Sequence, residues 1–205
     1  MTAASRAGGI SLTFDDGPDP TWTPRVLKAL DVTGAKATFF VIAPLARQHP
    51  GLIRSILGNG HRVELHCTRH VRHTELTRKE AEEDTRLGLR DLAEVGVRPA
   101  LWRPPWGVRA PWTEEVARRM DLWLAPWTED THDWRGDMAA EMLDSISESL
   151  RPGSVVLMHD GLGPGARREG CDQTVALVGK LVERIRELGC EPEPMSAPGS
   201  ALEAR

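Results

Sequence analysis

The sequence predicts an α/β fold, a (β/α) barrel with about seven parallel strands. Short β-like runs alternate with longer helical patterns along nearly the whole chain, as βα repeats do. Gly60, Gly96 and Gly189 fall where a helix should stop and the next strand begin. A length of 205 residues with 40% hydrophobic content is enough for one sizeable core and short for two. A single domain over 1–205 is therefore expected, with its core over 10–194 and a disordered tail over 195–205.

In chain order, "GISLTF" is the first strand candidate and Pro24 to Val32 the first helix. "KATFFVIA" follows, then a helix from Pro50 to Leu57, the strand "HRVELH" and a long helix from Arg78 to Glu94. "PALWRPP", the helix Thr113 to Arg119 and "DLWLAPW" continue the alternation. A helix from Met138 to Leu150, the strand "SVVLMH", a helix from Thr174 to Leu188 and a last strand "CEPEPM" complete it. Seven strand candidates against six helices favour a barrel over an open sheet.

Composition excludes several function classes. No segment approaches the roughly 18 to 20 apolar residues that a membrane span needs. The start, "MTAASRAGGISLTF", lacks the apolar run of a secretory signal, so a cytoplasmic location is expected. Cys67, Cys171 and Cys190 are odd in number and lack metal-type spacing, which makes reduced thiols the plain reading. A formal charge of −4 without a long basic run argues against nucleic acid or an anionic membrane as partner. A small or neutral substrate fits better.

The candidate chemistry gathers at strand ends. In "TFDDGPDP" two adjacent carboxylates, Asp15 and Asp16, end an apolar run, and like charges side by side ask for a positive partner. "HCTRH" sets His66 and His70 four apart, a spacing that lets both imidazoles share a metal. Arg103, Asp133 with Trp134, and His159 also follow β-like runs, and a parallel barrel collects such residues at its C-terminal mouth. Taken singly, each piece has a plainer reading as a turn, a cap or a solvated side chain. Five of them in order, each at a strand end, are hard to obtain by accident.

The ordered set "TFDDGP", "HCTRH", "RPPWG", "DTHDW" and "LMHD" resembles the five motifs of the polysaccharide deacetylase family, the NodB-like domain of carbohydrate esterase family 4. The resemblance runs from about Ile10 to about Pro194. It implies a distorted (β/α) barrel and a divalent metal, Zn2+ first and Co2+, Ni2+ or Mn2+ as substitutes. Carried over by motif, Asp16, His66 and His70 are the metal ligands, Asp15 the general base and His159 the general acid. Arg103 then keeps Asp15 charged and Asp133 orients and charges His159. Trp106, Pro105, Trp134 and Leu157 are the expected substrate-binding and oxyanion residues. Two departures stand out: Cys67 replaces the usual Ser or Thr, and "VRHTEL" follows His70. Cys67 reads as a buried thiol or as a soft sulfur beside the metal. His73 competes for the place of second imidazole, and the i, i+4 spacing selects His70.

The expected partner is a small molecule or short glycan bearing an N-acetyl sugar. Of seven tryptophans, Trp106, Trp127 and Trp134 fall near motif ends where a sugar can stack, whereas Trp102 and Trp123 read as core. The loop "GLGPGARREGCD", 161–172, brings Arg167 and Arg168 towards the mouth as candidates to meet an anionic group, as Arg69 and Arg72 are. Three functions remain: N-deacetylation of an amino sugar on a small intracellular acceptor, hydrolysis of another amide or ester such as a cyclic imide, ureide or acetyl ester, and a metal-free binding module. The complete Asp15, Asp16, His66, His70 and His159 set speaks against the last, and the cytoplasmic location expected above makes the first the leading reading.

Overall fold

A computed structural model describes residues 8–198. Its elements run β1 (Gly9–Asp15), α1 (Trp22–Thr33), β2 (Thr38–Ile42), α2 (Ala43–Gln48), α3 (Pro50–Gly58), β3 (Arg62–Cys67), α4 (Arg78–Glu94) and β4 (Leu101–Trp102). They continue with α5 (Thr113–Arg119), β5 (Trp123–Leu124), β6 (Glu129–Asp130), α6 (Ala139–Ser147), β7 (Val155–His159), α7 (Asp172–Glu187) and β8 (Glu191–Glu193). Every strand pairing is parallel, in the order β5-β4-β3-β2-β1-β7-β6, with β8 added against the first half of β1. Among the described residues β5 and β6 do not pair, so the sheet curls into a barrel that stays open on one side.

Period-2 alternation along β1 divides its residues between two layers. Ile10, Leu12 and Phe14 join a main core with Val26 and Leu30 of α1 and Leu177 and Leu181 of α7. Phe14 stacks on Phe39 of β2 with centroids 5.1 Å apart. The concave face is filled by a second, smaller cluster of Phe40, Leu101, Ala125, Val155, Met195 and Ala197. Ser11, Thr13 and Asp15 alternate with the core residues of β1, so the carboxylate ends a row that faces the barrel interior.

Three expectations need correction. β4 and β5 are two-residue strands because Pro104, Pro105 and Pro126 offer no N–H to a ladder. The run "KATFFVIA" stops at Ile42, where Pro44 in a first helical turn starts α2, and β6 is a further strand, so the described residues hold one α-helix and one strand more than predicted. The expected tail is ordered at its start: Met195 is buried, its N–H donates to Thr38 Oγ1 at 2.9 Å, and Arg62 Nη1 donates to its carbonyl at 3.1 Å. Residues 199–205 of that expectation lie outside the described residues. No helix among the described residues is long and apolar enough to cross a membrane. All three cysteines are buried and free.

Candidate metal centre and active site

Asp15 and Asp16 come off the end of β1, and His66 lies near the end of β3. Asp16 takes a left-handed backbone, φ 73°, which turns its side chain away from the strand and towards the histidines. Its Oδ1 lies 3.3 Å from His66 Nε2 and 3.2 Å from His70 Nε2. These three ligand atoms all fall within 4.8 Å of one another. A tetrahedral ion with ligands at roughly 2.0–2.2 Å spaces them about 3.3–3.6 Å apart, so the cluster fits a small divalent cation. His66 Nδ1 donates to the Arg103 carbonyl at 2.7 Å, which leaves the Nε2 lone pair facing Asp16. Asp16 Oδ1 and His70 Nδ1 are buried without hydrogen-bond partners. An orphaned buried carboxylate oxygen beside two imidazole nitrogens calls for a cation, and one oxygen with two nitrogens suits zinc-like ions. Burial pushes the Asp16 carboxyl up, but the two imidazoles outweigh it and hold it far below the usual range.

Arg103 is wholly buried. Its Nη1 donates to Asp15 Oδ1 and to Thr13 Oγ1, both at 2.8 Å, its Nε donates to the Ala125 carbonyl at 2.9 Å, and its Cζ sits 4.1 Å from the Phe40 ring centroid. A guanidinium held on so many sides fixes the orientation of the adjacent carboxylate. Across the pocket, Asp15 and His159 are register partners on β1 and β7, one strand spacing apart. His159 Nδ1 bonds Asp133 Oδ1 at 2.7 Å, and Asp133 Oδ2 accepts from the His159 N–H at 2.9 Å, Thr174 Oγ1 at 2.7 Å and Arg168 Nη1 at 2.9 Å. Burial works against the imidazolium, but Asp133 outweighs it, and His159 is raised to about 9. The reciprocal charge of His159 lowers Asp133 to about 2 despite its burial.

These groups open on a cavity of about 370 Å³ walled by Trp106, Trp127, Trp134 and Leu157 and by the glycine-rich loop. Trp106 stands at φ 54°, uncommon for a bulky residue, with its ring against His70 at 4.1 Å and beneath Arg72 at 4.3 Å. Gly163 packs directly on the Asp16 carboxylate, with no room for a Cβ. A second depression of about 210 Å³ adjoins the first, sharing Trp106 and Trp127 and adding Pro104, Gly107 and Arg109.

Most residues singled out from the sequence converge here, and five do not take the place expected of them. Arg69 is off the cavity wall, its Nε donating to Asp84 Oδ1 at 3.1 Å. Pro105 is buried under the turn that carries Trp106 and is off the cavity wall. His73 is buried beside Trp102 and Trp112 with Nδ1 2.9 Å from Thr113 Oγ1, so it is a core histidine. Cys67 stays outside the cluster, its thiol pushed up by burial. Arg168 turns inward rather than towards a ligand, bonding Asp133, the carbonyls of His159 and Gly161, and Thr174. Thr13 and Thr174 are support residues that the motif reading missed, and Arg168, expected to meet an anion, is a support residue instead. Thr13 was findable, since it sits two residues before Asp15 on the same strand face.

Three side chains able to hold a metal, opening on one cavity with the Arg103-bound Asp15 and the Asp133-bound His159, define the class: a metal-dependent hydrolase built on a parallel barrel. The chain belongs to the polysaccharide deacetylase family, whose model matches residues 3–124. It is 34% identical over 194 residues to a chitooligosaccharide deacetylase of Sinorhizobium fredii, covering 89% of this chain and 88% of that one. It is 32% identical over 184 residues to a peptidoglycan-N-acetylglucosamine deacetylase of Bacillus cereus, covering 88% and 83%. Among solved structures, a family 4 carbohydrate esterase from Streptomyces lividans in complex with acetate superposes with a TM-score of 0.81 at 28% identity, covering 90% of this chain and 91% of that one. The enzyme is a deacetylase of the family that uses a divalent metal.

Proposed function

We propose that this deacetylase is zinc-dependent and removes acetyl groups from N-acetylglucosamine units of a short glycan. The observation that carries this reading is the single cavity in which Asp16, His66 and His70 meet between Asp15 and His159. The names of the Sinorhizobium and Bacillus relatives support the sugar. The depression beyond Trp106 and Trp127 supports a neighbouring sugar unit, and hence an oligosaccharide.

When bound, the ion supplies Lewis-acid polarisation and an acidified water. Asp15, held in place by Arg103, takes the proton of the attacking water. The backbone N–H of Trp106 donates to the developing oxyanion. His159, charged through Asp133, gives a proton to the departing nitrogen, which is a poor leaving group unprotonated. Trp106, Trp127 and Trp134 provide aromatic surfaces for the sugar rings.

The test is acetate release from a panel of N-acetylglucosamine oligomers, N-acetyl monosaccharides, sugar esters and cyclic amides with added zinc. Turnover of oligomers is expected, lost on chelation and restored by zinc. Asp16→Ala and His66→Ala should lose stoichiometric zinc with the fold retained, and Asp15→Asn should keep zinc but lose about 10²- to 10⁴-fold in kcat. Preferred turnover of monosaccharides would restore the small-acceptor reading. Turnover confined to esters or cyclic amides would overturn the amino-sugar assignment.

A further inference from the structure

Trp134 carries two guanidinium groups. Arg135 Cζ lies 5.2 Å and Arg167 Cζ 5.6 Å from its ring centroid. Among the described residues neither guanidinium is ion-paired, whereas Arg72 has Glu75 at 3.9 Å and Arg109 has Glu114 at 3.6 Å. Two like charges on one indole repel each other, and their attraction to the ring relieves that only in part. The arrangement is nevertheless built in. The Arg167 N–H donates to the Trp134 carbonyl at 2.8 Å, and the next residue, Arg168, is locked beneath by its bonds to Asp133 and to the His159 carbonyl. Arg167 and Trp134 line the same cavity wall as Asp16 and His159.

The charge around them favours an anion. A bound dication and Arg103 together outweigh Asp15 and Asp16 by one charge, Arg72 is matched by Glu75, and Arg135 and Arg167 on Trp134 stand against Asp130. Asp130 is engaged by the His132 N–H at 2.8 Å. The mouth is therefore positive, and a concave mouth focuses that field. Guanidinium forks bind carboxylate and phosphoryl oxygens in pairs.

We propose that Trp134, Arg135 and Arg167 form an anion-recognising subsite, so that the preferred substrate is an N-acetylated glycan bearing an oxyanion substituent close to the acetamide that is cleaved. This rests on the deacetylase reading for the reaction and adds the charge class of the substrate. The oxyanion has two sources, a carboxylate on an acidic glycan or a phosphoryl group on a sugar.

The experiment uses three acceptors of one size: N,N′-diacetylchitobiose, the same disaccharide with a lactyl ether carboxylate, and the same disaccharide with a 6-phosphate. Binding to the zinc-loaded Asp15→Asn protein is measured by calorimetry, and acetate release by the unaltered enzyme. At least one charged acceptor should bind tenfold or more tightly than the neutral one, with a preference that falls as salt rises and disappears in the Arg135→Gln/Arg167→Gln protein. Preference for the carboxylate identifies an acidic glycan, and preference for the phosphate a phosphosugar. Equal binding of all three, or a preference that survives the double substitution, overturns the subsite while acetate release keeps the deacetylase reading. Arginine-dependent preference without acetate release from any acceptor keeps the subsite and overturns the acceptor assignment instead.

Discussion

His159 and Asp133 set the alkaline behaviour of the site. His159 is raised above its ordinary 6.5, to about 9, so it stays protonated as pH rises through neutrality and is lost as an acid only above its folded value. Asp15 and Asp16 make the smaller contributions to that rise, and a bound dication offsets them. Asp133 remains, so the alkaline limb of kcat/KM should lie between 6.5 and about 9. Asp133→Asn should move the limb to 6.5 or below and cost roughly 10- to 100-fold near pH 8, far less near pH 6. A pH profile with NMR titration of the imidazole checks this, and an unmoved limb would remove His159 from the role of acid. At this scale the sequence was informative wherever a residue type and a strand end coincided, as with Asp16, His66 and His159. It named Arg168 but as an anion contact, because a buried arginine that braces Asp133 and a solvated one read alike in a glycine-rich loop. His73 lay three residues from His70; the i, i+4 spacing selected His70, and the structure packs His73 against Trp102 and Trp112.

The loop from Gly161 to Cys171 acts as an element without regular structure. Arg168 pins it to Asp133 and to the end of β7, and Gly163 presses it against Asp16. A Cβ at 163 has nowhere to go but into the Asp16 carboxylate. Gly163→Ala should therefore weaken zinc binding about tenfold or more, read by competition with a chelating dye, while the unfolding midpoint of the metal-free protein changes little. An equal loss of metal-free stability would mean that Gly163 serves packing rather than the ligand. The regular elements were legible to different degrees. β1 and β7 stand out as largely apolar runs that end in Asp15 and His159, and β3 as an alternation of Val63 and Leu65 with polar residues. β4 and β5 were overextended and β6 was missed, because pairing over two residues leaves almost no periodic signal. α2 was hidden because its six residues follow a strand with no intervening turn signal.

For the whole molecule, the concave face depends on the last described segment. Met195 is fully buried in the small cluster with Phe40, Leu101 and Val155, on the same face of the sheet as Arg103 and Asp15. Met195→Ala leaves a hole there and should cost about 2–5 kcal/mol, seen as a lower urea midpoint. A near-neutral result would mean that the segment only covers the barrel floor. The expectation of a frayed end failed here because "SAPGSALEAR" has loop composition, and composition does not report a methionine anchored by Thr38 and Arg62.

The central place of β1 also sets a clock on synthesis. Asp15 and His159 are register partners, yet the chain between them must be made before β7 can pair with β1, and β8 comes later still. At roughly 5–20 residues per second, that interval is about 7–30 s. Throughout it the nascent Ile10, Leu12 and Phe14 lack the strand that covers one edge of β1, and the exposed edge is a template for the wrong partner. Soluble yield should then follow growth temperature and chaperone supply more closely than it follows the stability of the finished fold.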